Sequence, residues 1–254
     1  IKLDPPANIA NGNLNLNLNY NLTPRNPSLE LTIKTSQLNL EMLLKTILGK
    51  SPITGSNLEL QANFKSRGSN LAELVNNLDG KILTTAGPGQ YLNASSKLGN
   101  LFSDILGAMF TIDKRQASTA FTCAVINLKV NNGIASANNG IALEASTVNV
   151  LGNGRLDLRN GRIDVSITPQ NISKNPLDVA QFNLAQLIKI SGTISKPTVN
   201  FDPMSLLTMN NPITKNVLAK IAAGLPGQLA AAAESIMTPS PNNNISPCKT
   251  ALER

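Results

Sequence analysis

The sequence predicts a mainly β fold, a meandering antiparallel sheet with short α-helices inserted. Three observations carry that expectation. Residues 11–22, NGNLNLNLNYNL, alternate strictly: Leu14, Leu16, Leu18, Tyr20 and Leu22 fall on one side and Asn13, Asn15, Asn17, Asn19 and Asn21 on the other. Period two marks a strand with one apolar and one wet face. Asn-Gly pairs recur at 132–133, 139–140 and 160–161, and Asn-Gly supplies the positive φ angles that two-residue hairpins need. Finally, the runs with helical spacing are few and short, too few to cover every one-sided strand.

The elements follow in order. PSLELTIKT puts Leu29, Leu31 and Ile33 on one face against Glu30, Thr32 and Lys34, and the TPRNP turn before it predicts an antiparallel pair with the first strand. SQLNLEMLLKTILG switches period, predicting a helix near 38–48 with Ser36 as cap, Gly49 as stop and a stripe of Leu40, Leu43, Leu44, Ile47 and Leu48. Alternation returns through Leu58, Leu60, Ala62 and Phe64. A second helix is expected near 70–78, capped by Ser69, with Leu71, Leu74, Val75 and Leu78 apolar. KILTTAGPGQYL reads as a strand broken at Gly87-Pro88-Gly89, and a third helix is expected at 95–110. Strands alone run on to about residue 170, and IKISGTISKPTVNF adds one or two more. An Ala-rich helical stretch at 213–237 completes a single region, 1–237, and a Pro/Asn-rich tail follows at 238–254. That tail is expected to be mobile unless Cys248 anchors it.

Composition removes several functions. The chain has no histidine, so within it histidine triads, histidine metal sites and histidine general bases are excluded. No tryptophan is present and aromatic residues are 3% of the chain, against sugar-binding or single-stranded nucleic-acid platforms that stack on exposed rings. The net charge is +7, but without a basic run, so no nucleic-acid partner is expected. Asparagine accounts for 34 of 254 residues, a bias at positions where globular proteins often carry Lys or Glu. The stretch 218–237 is interrupted by Lys220, Pro226, Gln228 and Glu234 and reads as amphipathic, not as a membrane span. Ile1 opens the chain without a signal peptide, and the expectation is a processed piece whose membrane anchor lies outside it. Cys123 and Cys248 are the two cysteines. In an oxidising compartment they could pair, closing a loop worth roughly 4–5 kcal/mol in the chain-entropy account.

Residues 148–169, VNVLGNGRLDLRNGRIDVSITP, carry two apparent active sites. Gly152-x-Gly154 suggests a phosphate loop, but such a loop leads into a helix whose N-terminus supplies amides. RLDLRNGRIDVSI alternates with period two instead, so a bulge or bend is the better account of the glycines. Asp157 and Asp164 suggest a carboxylate pair. With Asn160-Gly161 as a two-residue turn, Asp157 faces Asp164, Leu156 faces Val165, Leu158 faces Ile163 and Arg159 faces Arg162. Arg155, Arg159 and Arg162 share the aspartates' face, which favours ionised carboxylates and a solvated outer surface. The opposite face holds Leu156, Leu158, Ile163, Val165 and Ile167.

Several stretches together resemble one family. LNLEMLLKTILGKSPITGSNLELQANFKSRGSNLAELVNNLDGKI, CAVINLKVNNGIASANNGIALEASTVNVLGNGRLDLRNGRIDVSITP, ISGTISKPTVNFD and SPCKTAL resemble, in order and spacing, the C-terminal region of the AsmA family, bacterial envelope proteins related to TamB and YhdP. The resemblance spans about residues 11–252; the Asn-rich first strand and the lack of an N-terminal membrane segment depart from it. It implies an elongated, curved β-groove of the bridge-like lipid-transfer type. It also implies a periplasmic setting, an inner-membrane anchor in the full-length protein, and phospholipid or another acyl lipid as partner, with an outer-membrane or envelope protein as a further partner. Candidate liners are Leu14, Leu16, Leu18, Tyr20, Leu22, Leu29, Leu31, Ile33, Leu58, Leu60, Phe64, Leu156, Leu158, Ile163, Val165 and Ile167. Cys123 and Cys248 both fall in family-like motifs, and a bridge between them would staple the tail to the sheet. No catalysis and no cofactor are expected. The alternative is a structural or adhesive β-repeat protein with a dry core, although the irregular, helix-broken spacings oppose a fixed repeat.

Overall fold

The computed structural model describes residues 7–21, 27–92, 117–146, 149–170, 188–201 and 246–254. Its strands are β1 (Ala7–Ile9), β2 (Gly12–Asn21), β3 (Ser28–Ser36), β4 (Leu38–Asn39), β5 (Ile53–Thr54), β6 (Asn57–Arg67), β7 (Asp79–Ala86), β8 (Gly89–Leu92), β9 (Ser118–Asn131), β10 (Ile134–Ala145), β11 (Asn149–Asp157), β12 (Arg162–Gln170), β13 (Ile188–Thr193) and β14 (Lys196–Phe201). Three short helices accompany them: α1 (Leu40–Leu48), α2 (Leu71–Asn76) and α3 (Pro247–Leu252). The helices expected at 95–110 and 213–237, and Leu22 with residues 23–26 of the TPRNP turn, lie outside the described residues.

All fourteen strands belong to one sheet, whose main path runs β1-β2-β3-β6-β7-β9-β10-β11-β12-β13-β14. The short strands β4, β5 and β8 pair beside that path. Every described pairing is antiparallel. The sheet is open, with β1 and β14 at its two ends.

Turn chemistry explains why consecutive strands pair. Asn132 and Gly133 have φ of 48° and 73° and join Asn131 to its partner Ile134, the mirror-image turn whose twist matches paired strands. The other two Asn-Gly pairs behave differently from expectation. Asn139-Gly140 is not a hairpin turn: it lies within β10, where the register shifts between Ala137 and Ile141. Two extra residues on β10 are accommodated there, with Asn139 at φ 51° and its N–H donating to Asn153 Oδ1 at 2.8 Å, a bulge held from the next strand. Asn160-Gly161 closes a four-residue turn, because Asp157 pairs with Arg162. KILTTAGPGQYL breaks where expected, between β7 and β8, at a cis Gly87–Pro88 bond.

Both helices are capped later than the sequence suggested, α1 by three residues and α2 by one. For α1 the cap is Asn39, not Ser36: its Oδ1 accepts the Met42 N–H at 2.8 Å, while Ser36 ends β3 and Gln37 turns the chain at φ 56°. Gly49 terminates α1 at φ 76°, the left-handed position glycine takes without a Cβ penalty. For α2 the cap is Asn70, not Ser69. Glu73 answers by accepting the Ser69 N–H at 2.7 Å, the reciprocal arrangement of a capping box. Leu71 at the start of α2 is 76% exposed, so the expected apolar stripe turns only Leu74, Val75 and Leu78 inward, each half-buried.

Two buried clusters form on opposite faces. One gathers Leu40 from α1 with Ile53, Tyr91, Phe121, Leu143, Ala145, Val150, Ile167 and Ile190. The other joins Val125 and Ala142 to Cys248 and Ala251 of α3, with Leu83, Cys123 and Leu151 packed against them.

Candidate functional site

Register places most of the predicted apolar residues on one continuous surface. Directly paired residues share a face, and alternate residues along a strand return to it. Leu16, Leu18 and Tyr20 on β2 oppose Ile33, Leu31 and Leu29 on β3. Leu31 and Ile33 in turn oppose Phe64 and Ala62 on β6. The row continues through Ile82, Thr84 and Ala86 on β7, then Leu128, Ile126 and Ala124 on β9. Ile126 opposes Ile141, and Ala124 opposes Leu143 on β10. Gly152 and Val150 on β11 follow, and then Ile167, Val165 and Ile163 on β12, opposite Gly152, Gly154 and Leu156. Leu14 and Leu60 belong to the same face through Thr35 and Thr84. Leu158 does not join a strand; it begins the four-residue turn, half-buried, with its N–H donating to the Gly133 carbonyl at 2.8 Å.

Burial divides this face. At the β8–β13 end it is dry: Ile167 is 3% exposed, and Leu58, Ile163 and Val165 pack against the same cluster. Toward β2 and β3, Leu14, Leu16, Leu18, Leu29, Leu31 and Ile33 are half-buried and belong to neither buried cluster. Leu60 and Phe64 are also half-buried, Tyr20 is 45% exposed, and Ile126, in the middle of the sheet, is 44% exposed. Ile82, Ile126, Leu128 and Ile141 were not among the predicted liners. The alternation Ala124, Ile126, Leu128, Val130 in AVINLKV was the signal that marks this strand.

The glycines of the LGNGRL stretch serve this face and not a phosphate. Both lie inside β11, neither at a bend. A Cβ on Gly154 would meet Ile141 Cδ1 at 3.1 Å and Val165 Cγ2 at 3.2 Å, and one on Gly152 would meet the Ser166 carbonyl oxygen at 3.0 Å and Ile141 Cβ at 3.3 Å. The Ile141 side chain therefore lies across β11 in the space two side chains would fill, close packing of the kind glycine permits in a strand.

On the opposite face the carboxylates are separated. Asp157 pairs with Arg162, and Arg155 with Asp164, correcting the expectation that Asp157 faces Asp164, Leu156 faces Val165, Leu158 faces Ile163 and Arg159 faces Arg162. Leu156 instead faces Ile163, and Gly154 faces Val165. The physical reason is the longer turn, in which Asp157 grips Arg159 locally. Its carboxylate accepts from Arg159 Nε at 2.7 Å and Nη2 at 2.6 Å, and from the Arg159 backbone N–H at 3.0 Å. That hydrogen-bonded guanidinium holds the Asp157 carboxyl down at about 2, well below the usual carboxylate range, and raises Arg159 in turn. Arg155, Asp157, Arg162 and Asp164, with Ser191, bound an open depression of about 410 Å³. Opposite charges alternate around it.

The same polar face carries the chain's C-terminus. Cys123 and Cys248 form a disulfide across a sequence separation of 125, with Cα atoms 6.6 Å apart. Glu144, the direct partner of Cys123, accepts the Cys248 N–H at 3.0 Å and the Ser246 hydroxyl. Asn127, 4% exposed, donates from Nδ2 to the Ala251 carbonyl at 2.9 Å. The tail's last residues are thus ordered by a cap, a bridge and a buried amide. Glu144 and Asn127 were missed in the sequence because each is an ordinary polar residue on the wet side of an alternating strand. Their role depends on a helix more than a hundred residues away.

Among the described residues no helix is long and apolar enough to cross a membrane. Compared with known proteins, the chain matches no family model, no curated protein and no solved structure.

Proposed function

We propose that this chain is a non-catalytic lipid-binding segment of an envelope protein, similar to the C-terminal region of the AsmA family. It would pass acyl lipid between the inner and outer membranes and so contribute to outer-membrane biogenesis. The observation that carries this reading is the incompletely buried apolar surface on β2, β3 and β6, formed by Leu14, Leu16, Leu18, Leu29, Leu31, Ile33, Leu60 and Phe64. Covering a Leu-sized side chain fully stabilises by about 1.5–3 kcal/mol, so a row of such side chains left partly uncovered favours an apolar occupant. An acyl chain meets that need without donors or acceptors, and the polar groups on this face of β2, β3, β6 and β7 are few: the hydroxyls of Tyr20, Thr35, Ser66 and Thr84. The dry cluster at the β8–β13 end anchors the sheet, and the β2–β6 end offers the contact surface.

An oxidising periplasmic setting is consistent with the Cys123–Cys248 bridge. Native mass spectrometry of the purified chain, with organic extraction of bound lipid, tests the proposal. The expected result is co-purifying acyl lipid and saturable uptake of a fluorescent fatty acid. A chain that carries no lipid and takes up no probe would sink it.

A further inference from the structure

Cys123, Cys248 and Glu144 hold their ligand atoms, two sulfurs and a carboxylate oxygen, all within 4.8 Å of one another. Three features make this more than a bridge beside an acid. First, the Cα atoms of the two cysteines are 6.6 Å apart, near the long end of what a disulfide spans, about 4.4–6.8 Å. Around a tetrahedral zinc ion with Zn–S near 2.3 Å, two sulfurs sit roughly 3.8 Å apart. Side-chain rotation at that Cα spacing reaches the required separation. Second, both hydrogen bonds that Glu144 accepts from the helix start go to Oε1, which leaves Oε2 for a ligand. Third, the helix does not depend on the bridge alone for its position: Asn127 holds Ala251 at 2.9 Å, and Ala251 is fully buried. Opening the disulfide therefore leaves the two thiols facing each other and the carboxylate.

We propose that these three residues form a redox-gated metal site for a thiophilic divalent cation of the zinc type. A dithiol reductant transfers two electrons to the disulfide: the Cys123–Cys248 S–S bond breaks, two thiols form, and the reductant becomes its own cyclic disulfide. The cation then displaces the two thiol protons to solvent and takes two thiolates and one carboxylate oxygen. Water fills the fourth position of a tetrahedron, the donor set and open site expected for zinc with three protein ligands. Oxidised, the site is closed by its own sulfur–sulfur bond. The site is independent of the lipid-binding surface, which lies on the other face of the sheet.

The test uses the full chain in both redox states. Protein reduced with dithiothreitol and desalted without oxygen is titrated with Co²⁺ as a spectroscopic probe, then with Zn²⁺. The expected result is one equivalent of Co²⁺ per reduced chain. It should give thiolate-to-cobalt charge-transfer bands and the visible bands of a tetrahedral ion, all erased by Zn²⁺, while oxidised protein shows none. Glu144→Gln keeps a hydrogen-bond acceptor for the helix and is expected to weaken Co²⁺ affinity at least tenfold. Cys123→Ser removes the bands. Identical spectra for the reduced and oxidised unsubstituted chain overturn the proposal without any variant. Unchanged affinity in Glu144→Gln overturns the three-ligand site.

Discussion

Glu144 lies directly across from Cys123 on the neighbouring strand and accepts the backbone N–H of Cys248 at 3.0 Å. One carboxylate thus sits beside both ends of the bridge and caps the first turn of α3. The disulfide and the cap act on the same few residues, and their contributions can be separated by substitution. Cys248→Ser under oxidising conditions is expected to lower stability by about 2–5 kcal/mol in urea unfolding, with faster amide exchange confined first to α3. Intact-mass analysis of protein isolated without reductant should show the mass of the bridged form, two hydrogens below that of two free thiols.

Substitution of the β11 glycines should distinguish packing from backbone freedom. Gly152→Ala puts its methyl against the Ser166 carbonyl at 3.0 Å and against Ile141 Cβ, neither of which can move freely. The expected cost is about 1–3 kcal/mol. Gly154→Ala meets only side-chain atoms, Ile141 Cδ1 and Val165 Cγ2, and no backbone, and should cost less. In a double-mutant cycle, Ile141→Val should recover part of the Gly154→Ala loss, since it removes the Cδ1 methyl.

Acid titration should reveal the Asp157–Arg159 pair. The folded carboxyl ionises at about 2, below its ordinary value of 3.8. Its contribution to stability is therefore present above that ordinary value and is lost as pH falls toward about 2. Urea midpoints measured from pH 5 to roughly pH 2 should fall more steeply in the unsubstituted chain than in Asp157→Asn, and the two curves should converge at the acid end. Parallel curves would rule out this pair as a source of the slope.

Leu31 offers a test of the open end of the apolar face. It is half-buried between Leu18 and Phe64, so Leu31→Ser is expected to cost about 1–2 kcal/mol, less than the 2–5 kcal/mol typical of truncating a fully buried leucine. Its effect on fluorescent acyl-chain binding should be larger, several-fold in affinity. Asn17→Ser, on the opposite face of β2, should leave binding unchanged. Equal effects of the two substitutions would remove the β2–β6 surface from the binding account.

Much of the sheet was legible because its code is local. Leu14 to Tyr20 alternate in the chain and alternate in space, and Asn132-Gly133 turns as its dipeptide predicts. Other features required distant partners. Nothing near Asn139-Gly140 says that it will sit inside a strand; the bulge is set by Asn153 on the next strand. Likewise the choice between a two-residue and a four-residue turn at 158–161 rested on Asp157, whose grip on Arg159 favours the longer loop and moves every pairing by two residues. The apolar candidates were found as a set, but which of them are dry could not be read. Ile167 and Leu16 look alike in sequence, and only the packing of α1, β5 and β8 over one end separates them.

The bulge at Asn139 adds two residues to β10, whereas β9 takes one extra residue between Phe121 and Cys123. An even insertion preserves the parity of a strand, and so Ala137 and Ile141 remain on one surface. An odd insertion inverts it, and so Phe121 joins the apolar cluster while Cys123, on the other side of the extra residue, reaches α3. Length changes in this sheet are therefore not graded by size. Two residues can be gained in a strand without altering what either surface presents, and a single residue exchanges the two surfaces for everything beyond it.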